Sequence, residues 1–326
     1  MMKTRLKLKI ASSAVLVGLG VCSLVNSVPL HTSSNLKSST DVLGRYHWRR
    51  PSQSSGTQGN NTNVNLPTGT QESENWAGYI DTPTSTNGQY TSISGSWTVP
   101  DISASQQNDA AAAQWIGLGG VSSTDLLQMG TVEQIQNGQP VIEVFWEQLP
   151  SSAQNVMTVP AGSTISAMIA ETTGENPIWN LTFTVNGQTP SQTISPVTID
   201  TSYANGIGTS AEWISEDPST QNDRLYPLAN MGTVSYQSAT VNGEPLNYTT
   251  NQVQSEAMLS SNGNVLIAPS ALGTDGESFT TSAPTTSTTT TTPTGTTPTS
   301  GDEPNGNTFH HRGYRQQNVF WTNRGW

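Results

Sequence analysis

Short runs in which apolar and polar residues alternate organise the middle of this chain. Ile93, Gly95, Trp97 and Val99 alternate with polar neighbours, and Trp179, Leu181, Phe183 and Val185 alternate with Asn180, Thr182 and Thr184. A strand turns successive side chains to opposite faces, so a period of two predicts strands buried on one side. Asn-Gly pairs begin at 87, 137, 186, 205, 242 and 262. Both residues tolerate the positive φ angles of a two-residue type I′ turn, and several pairs lie between alternating segments, which predicts tight hairpins. About two hundred residues of antiparallel hairpins suffice for one sandwich with a sizeable core. The expected fold class is therefore all-β.

On either side of this region the pattern breaks. Lys3, Arg5, Lys7 and Lys9 precede an apolar run from Ile10 to Val25 that is interrupted by Ser and Gly and is short for a bilayer span. It reads as a secretory signal peptide over 1–27, so no membrane segment is expected after its removal. A lipid anchor at Cys22 is the rival reading, although Val21 is bulkier than the small residue such a site prefers. Residues 28–70 are rich in Ser, Thr, Asn, Gln and Gly and read as a disordered leader or pro-segment. The β-rich domain is assigned to 71–272. A Thr/Pro-rich linker follows over 273–305, and a basic, aromatic tail over 306–326. The tail's Trp321, Trp326, Arg312 and Arg315 fit contact with a cell surface or glycan; the plainer alternative is an unstructured terminus.

Composition narrows the chemistry. Only 11% of residues are charged and 33% are hydrophobic, too polar and uncharged for a coiled coil or long helices. The net charge of −11 understates an asymmetry: 20 of the 23 acidic residues lie between Glu72 and Glu277, where Arg224 is the one cation. That span carries a formal −19, which excludes nucleic acid as a partner, since phosphate binding needs clustered Lys and Arg. The leader has the opposite sign: Lys37, Arg45, Arg49 and Arg50 against Asp41. It is either an inhibitor that lies on the acidic domain and leaves when carboxylates protonate, or a solvated linker. A monomer is the default expectation.

His31, His47, His310, His311 and Cys22 all fall outside the acidic span. A Ser-His-Asp or Cys-His nucleophile, a Lys Schiff base and a His- or Cys-based metal site thus have no residues to be built from. No metal or cofactor is expected. Proton carriers there must be carboxylates or Tyr, with Gln, Asn, Ser or Thr as hydrogen-bond partners.

Three segments concentrate such groups. Over Val141 to Leu149, Ile142, Val144 and Trp146 share one strand face while Glu143, Phe145 and Glu147 share the other. The first is a core face; the second is either the floor of a groove or an ordinary solvated face. Over Ala211 to Asp217, Glu212 stands with Ile214 and Glu216, opposite Trp213. Desolvation there would raise its pKa and suit it to proton transfer in acid, unless it simply pairs with Arg224. In Asp125 to Gly130, Gln128 sits within an apolar strand, where it must bond either to the fold or to a ligand. An amide donor stabilises an oxyanion without changing charge with pH.

Taken in order, Asn75-Trp76-Ala77-Gly78, Trp97-Thr98-Val99-Pro100, Trp115-Ile116-Gly117, Leu127-Gln128-Met129-Gly130, Trp146-Glu147, Ala211-Glu212-Trp213-Ile214 and Gly232-Thr233-Val234 resemble the glutamic peptidases, the eqolisin family. The series spans roughly half the chain. The resemblance implies two packed, curved antiparallel sheets of lectin-like type and an endopeptidase active in acid on polypeptide substrates. It implies a catalytic pair at Gln128 and Glu212: the Glu acts on an attacking water and then protonates the departing amine, while the Gln amide holds the water and stabilises the oxyanion. No metal, cofactor or covalent intermediate is implied. Trp115, Phe145, Glu147 and Glu216 correspond to substrate-binding neighbours.

The match has departures. Gly119 stands where the family often has an Asp in a Trp-x-Gly-x-Asp pattern, and Gln148 and Leu149 replace aromatic positions after Glu147. Fungal members carry cysteines that are absent here, which fits a prokaryotic branch. Two other readings compete: a non-catalytic carbohydrate- or surface-binding sandwich with exposed Trp residues, and a glycoside hydrolase with Glu147 and Glu212 facing each other at about 5–10 Å. Composition adds that a domain with so few cations gains little positive charge in acid, which fits secretion into an acidic medium.

Overall fold

The structure, a computed structural model, describes residues 64–105, 107–172, 178–220 and 224–284. The signal peptide, most of the leader and the basic tail lie outside the described residues. In chain order the strands are β1 (Gln71–Ser73), β2 (Trp76–Pro83), β3 (Ser92–Thr98), β4 (Ala111–Gly119), β5 (Leu126–Gln136), β6 (Gln139–Gln148), β7 (Gln154–Thr158), β8 (Thr164–Glu171), β9 (Ile178–Val185) and β10 (Gln188–Thr198). A helix, α1 (Thr201–Ile207), comes next. It is followed by β11 (Ala211–Glu216), β12 (Thr233–Val241), β13 (Glu244–Pro245), β14 (Asn251–Leu259), β15 (Val265–Pro269) and β16 (Phe279–Ser282).

Hydrogen bonding arranges them into two layers. The front sheet runs β7-β6-β5-β4-β11-β2-β14 and the back sheet β10-β9-β8-β3-β12-β16-β15, while β15 bonds to both β14 and β16 and so joins the two. The expected all-β antiparallel sandwich is what forms. The last strand, β16, pairs with β12 and β15, so the sandwich extends past Leu272 into sequence whose composition reads as linker.

Alternation explains the layering. Ile93 and Trp97 of β3, Trp179, Leu181 and Phe183 of β9, and Ile116, Met129 and Trp213 of the front sheet meet in one buried core. Aromatic polar atoms tie the layers together: Trp213 Nε1 donates to the Ser94 carbonyl at 2.8 Å, Trp97 Nε1 to Thr131 Oγ1 at 3.0 Å, and the Tyr236 hydroxyl to the Ile214 carbonyl at 2.7 Å. A buried indole or phenol must satisfy its donor, so these rings fix how the sheets stack as well as filling space.

Three of the Asn-Gly pairs make the expected turns. Asn137-Gly138, Asn186-Gly187 and Asn242-Gly243 each have positive φ at both residues, joining β5 to β6, β9 to β10 and β12 to β13. Asn205-Gly206 instead lies inside α1. The chain there leaves the back sheet for the front sheet, a crossing that no two-residue hairpin can make. Asp200 caps this short helix by accepting from the Tyr203 N–H, the favoured role of Asp at that position. Tyr203 in turn donates its hydroxyl to the Leu126 carbonyl at 2.8 Å and accepts from the Leu126 N–H at 3.2 Å. The helix thereby holds the start of β5.

The interior also contains acids. Asp81 and Glu133 are completely buried and Asp217 is 4% exposed. Burial pushes each of them up to about 8, for Glu133 against the opposing pull of Thr131 and Gln114. The folded chain holds these protons more tightly than the unfolded chain, so their contribution to stability is complete below about pH 4, where an unfolded carboxyl is still protonated. It is lost as pH rises through about 8. Glu133→Gln, which keeps shape and removes the charge, is therefore expected to gain about 3 kcal/mol relative to wild type at pH 7 compared with pH 4. Urea midpoints of both proteins at the two pH values check this; a difference independent of pH would exclude Glu133 as a source of the linkage.

Candidate active site

Strand register brings the predicted residues into one line. Glu147 on β6 is opposite Gln128 on β5; Gln128 is opposite Gly117 on β4; Gly117 is opposite Glu212 on β11; and Glu212 is opposite Ile80 on β2. Directly paired residues point to the same side of a sheet. Glu147, Gln128 and Glu212 therefore share the front-sheet face that points away from the main core. The next row on this face is Phe145, Gly130, Trp115, Ile214 and Gly78, and the one after it contains Glu143, Val132, Ala113, Glu216 and Trp76. Trp76, Ile80, Trp115, Leu126, Phe145 and Ile214 belong to a second apolar cluster, separate from the sandwich core. Glu143, Phe145 and Glu147 of β6 are thus buried, so theirs is not an ordinary solvated face.

Gln128 and Glu147 are coupled. The Gln128 amide donates from Nε2 to Glu147 Oε2 at 2.7 Å, and Gln128 is fully buried. Its Oε1 accepts no hydrogen bond from the described residues. A bond to a carboxylate fixes the plane of the amide and leaves its second N–H and its oxygen to meet whatever lies over Gly117.

Glu212 is fully buried, and neither of its oxygens accepts a well-formed hydrogen bond from the described residues. Burial raises its pKa well above the usual Glu range; the nearby Ser210 hydroxyl pulls the other way, and the charges of Glu256 and Asp81 raise it further. The alternative pairing with Arg224 is not made, for Arg224 is exposed. Glu216, two residues on, is engaged instead: its Oε2 accepts from Trp115 Nε1 at 2.8 Å and its Oε1 from Asn75 Nδ2 at 3.1 Å. The Trp115 ring meets Trp76 edge-on at 5.1 Å. Glu216 also stays neutral well above the ordinary Glu range because of burial, and its bonds set the angle of an aromatic wall.

Gly117 stands on the strand between the two groups. Gln128 and Glu212 lie two strands apart, about 9–10 Å between backbones, and Gly117 itself contributes no side chain there. A Cβ added at Gly117 would come within 2.9 Å of Trp115 Cζ3, 3.0 Å of Leu126 Cδ1 and 3.3 Å of Gln128 Cβ. The Trp115 ring and Leu126 therefore pack over Gly117, between an amide on one side and a neutral carboxyl on the other. Such groups can hold a small polar molecule against a carbonyl and pass protons both ways.

The two competing readings fare poorly against this geometry. Among the described tryptophans, Trp76, Trp97, Trp115, Trp179 and Trp213 are buried and Trp146 is half-buried, so none offers an open platform for a sugar. Glu147 and Glu212 lie three strands apart in a single sheet, about 14 Å between backbones, with Gln128 and Gly117 between them, and do not face each other across a cleft.

The fold is a two-layer antiparallel sandwich with a buried amide and a buried carboxyl lined up on one sheet face. Residues 74–282 match the Peptidase A4 family, and the chain belongs to that family, as a glutamic-type endopeptidase. Aspergillopepsin-2 from Aspergillus niger is 25% identical over 251 residues, covering 70% of this chain and 84% of that protein. Two crystal structures of scytalido-glutamic peptidase, one with a transition state analog inhibitor and one with a peptide based transition state analog, superpose with TM-scores of 0.50 and 0.51 at 20% and 21% identity. Each match covers 64% of this chain and 98% of the other, and both establish the fold.

Several participants escape a reading of the sequence. Ile80 and Glu256 reach this face only through long-range register, and Glu256 sits in a polar strand with no distinctive neighbours; Ser210, two residues before Glu212, follows it by alternation. Gly117 lies inside a motif, but nothing local marks it as the floor between two functional groups. Gly117→Ala is expected to fold and to lower kcat/KM for peptide hydrolysis at least about tenfold by displacing Gln128 and Trp115. Kinetics alongside a urea melt check this, and an unchanged kcat/KM would exclude the packing around Gly117 as part of the reacting site.

Proposed function

We propose that Gln128 and Glu212 are the catalytic pair, and that the protein is a secreted endopeptidase that works in acid on extended or unfolded polypeptides, with Trp115, Phe145, Glu147 and Glu216 shaping the groove. The observation that carries this is the line across the sheet: a buried Glu212, neither of whose oxygens accepts a well-formed hydrogen bond from the described residues, stands in register with Gln128, whose Oε1 accepts none from them, with Gly117 on the strand between. A polypeptide laid along the face places a scissile carbonyl over that glycine.

In acid Glu212 enters the reaction as a neutral carboxyl, because burial holds its proton. As a water oxygen bonds to the carbonyl carbon, a water proton passes to one Glu212 oxygen while the hydroxyl proton on the other moves to the substrate carbonyl oxygen. The carboxyl ends the step neutral, with its proton exchanged. In the second step Glu212 protonates the amine nitrogen as the C–N bond breaks, and recovers a proton from the tetrahedral centre. The free N–H of Gln128 stabilises negative charge developing on the substrate oxygen. Glu147, bonded to the other N–H, keeps that amide in plane. The proton balance closes at each step without a covalent intermediate.

Hydrolysis of a denatured protein from about pH 2 to pH 7 tests the pair. Activity confined to acid is expected. Glu212→Gln should abolish it and Gln128→Ala should lower kcat by about 10²–10³, with both variants confirmed as folded. A Glu212→Gln variant that retains wild-type turnover would sink the assignment.

The charge contrast between leader and domain supports a zymogen. Residues 28–70, positive at neutral pH, would lie against the acidic domain and be released as carboxylates protonate. A synthetic peptide of this segment is expected to inhibit the mature enzyme at about pH 6 and not at about pH 3. Equal inhibition at both values would reduce the segment to a linker. A monomer is the default state, and the aromatic tail fits a surface attachment.

A further inference from the structure

The apolar cluster on the catalytic face is not closed on every side. Trp115, Leu126, Phe145 and Ile214 are buried, but Val121, Leu149 and Ala153, which pack against them, are partly exposed. These three mark where the face meets solvent. Leu149 lies two residues beyond Glu147, and its N–H donates to the Leu126 carbonyl at 3.0 Å. Leu126 is opposite Gly119 of β4, whose N–H donates to the Ser210 carbonyl at 3.0 Å. Each of these four residues is two positions from a member of the catalytic line, so by alternation they share its face. A second row, Leu149, Leu126, Gly119 and Ser210, therefore runs beside Glu147, Gln128, Gly117 and Glu212.

The row is rigid and apolar at its Leu149 end. The Leu126 carbonyl accepts from the Tyr203 hydroxyl at 2.8 Å as well as from Leu149, and the Leu126 N–H donates to the same hydroxyl at 3.2 Å. Gly119 has a φ of +90°, and an added Cβ would run into the Asp125 carbonyl oxygen and the Ile207 Cα, so its place is left bare. Val121 follows Gly120, where an added Cβ would lie 3.3 Å from Leu126 Cδ2. The acids nearest in sequence are turned to other partners: Asp125 directs its carboxyl at Gly206 of α1, and Glu147 accepts from Gln128 in the catalytic row.

We propose that Leu149 and Val121 are specificity-determining residues: with Leu126 and the bare Gly119 they form a subsite that takes an uncharged, apolar side chain of the polypeptide beside the scissile bond and disfavours Lys and Arg. This rests on the assignment of Gln128 and Glu212 as the reacting pair. An apolar side chain gains by leaving water against Leu126, Leu149 and Val121. A cationic one would be desolvated there with no carboxylate of the row to receive it. The hold of Tyr203 and Leu149 on Leu126 means that the subsite is formed before substrate arrives, which limits the ordering cost of binding.

The test is a digest of a denatured protein mixture by the mature enzyme at about pH 4.5, where an ordinary Asp is ionised, with the residues on both sides of each cut read by mass spectrometry. One position beside the cut is expected to favour Leu, Ile, Val and Met over Lys and Arg by at least about tenfold. Leu149→Asp puts a carboxylate on the rim and should lower that preference about tenfold, whereas Leu149→Ile should keep it. A general loss of packing would slow every cleavage alike and leave the ratio where it was. Val121→Asp gives the same reading if Leu149→Asp does not fold. Wild type that cuts beside Lys and Arg as readily as beside Leu, or a ratio that both Asp variants leave unchanged, overturns the subsite and leaves Gln128 and Glu212 in place. A folded wild type that cuts nothing overturns both.

Discussion

A carboxyl that is buried without a cation must keep its proton, and most features of this protein follow from that requirement. Between Glu72 and Glu277 there is one Arg for 20 acids, so ion pairing cannot stabilise buried carboxylates here. The chain buries Asp81, Glu133, Glu212 and Glu216 nonetheless. Transferring an ionised carboxylate into such surroundings is prohibitive, and the group neutralises instead. Acid supplies the proton at no cost to folding. Under the proposed function, the same medium that makes the interior tolerable also loads Glu212 for catalysis, so that stability and activity would draw on a single protonation pattern.

Glycine sets the geometry within which that pattern acts. Gly117 stands between the amide and the carboxyl, where an added Cβ would crowd Trp115, Leu126 and Gln128, and at Gly78 a Cβ would meet the Trp213 carbonyl oxygen. Gly119 shows how completely the backbone can decide a position. Its φ is +90°, and an added Cβ would lie 2.2 Å from the Asp125 carbonyl oxygen and 2.8 Å from the Ile207 Cα. No Asp can stand there without rebuilding the contact between β4, the loop before β5 and α1. The departure from the family pattern at this residue is therefore enforced by local packing, and the wall it belongs to is held instead by Tyr203 on Leu126.

Much of this was legible from the chain, and the boundary between legible and hidden is physical. Alternation is a local property, so the opposite faces of Ile142, Val144 and Glu143, Phe145, Glu147 could be read directly, as could Trp213 against Glu212 and Glu216. The turns at Asn137, Asn186 and Asn242 were likewise written in two residues each. Register is not local. Nothing near Glu256 reveals that its strand will lie beside β2, and nothing near Gln128 reveals that Glu147 will be its direct partner. Helix α1 was hidden too: Asn205-Gly206 reads as a turn until the crossing between sheets makes a helix the only route, with Asp200 as its cap.

Chemistry in acid favours the groups this face presents. Lys and His would be fully charged there and unable to accept a proton, while an ordinary exposed Glu would titrate across the working range. Gln128 has the same charge at every pH, and Glu212 has been moved by burial to a range where it too holds one form. The upper edge of that range, where Glu212 begins to ionise, is set first by desolvation and so by the packing of the whole face.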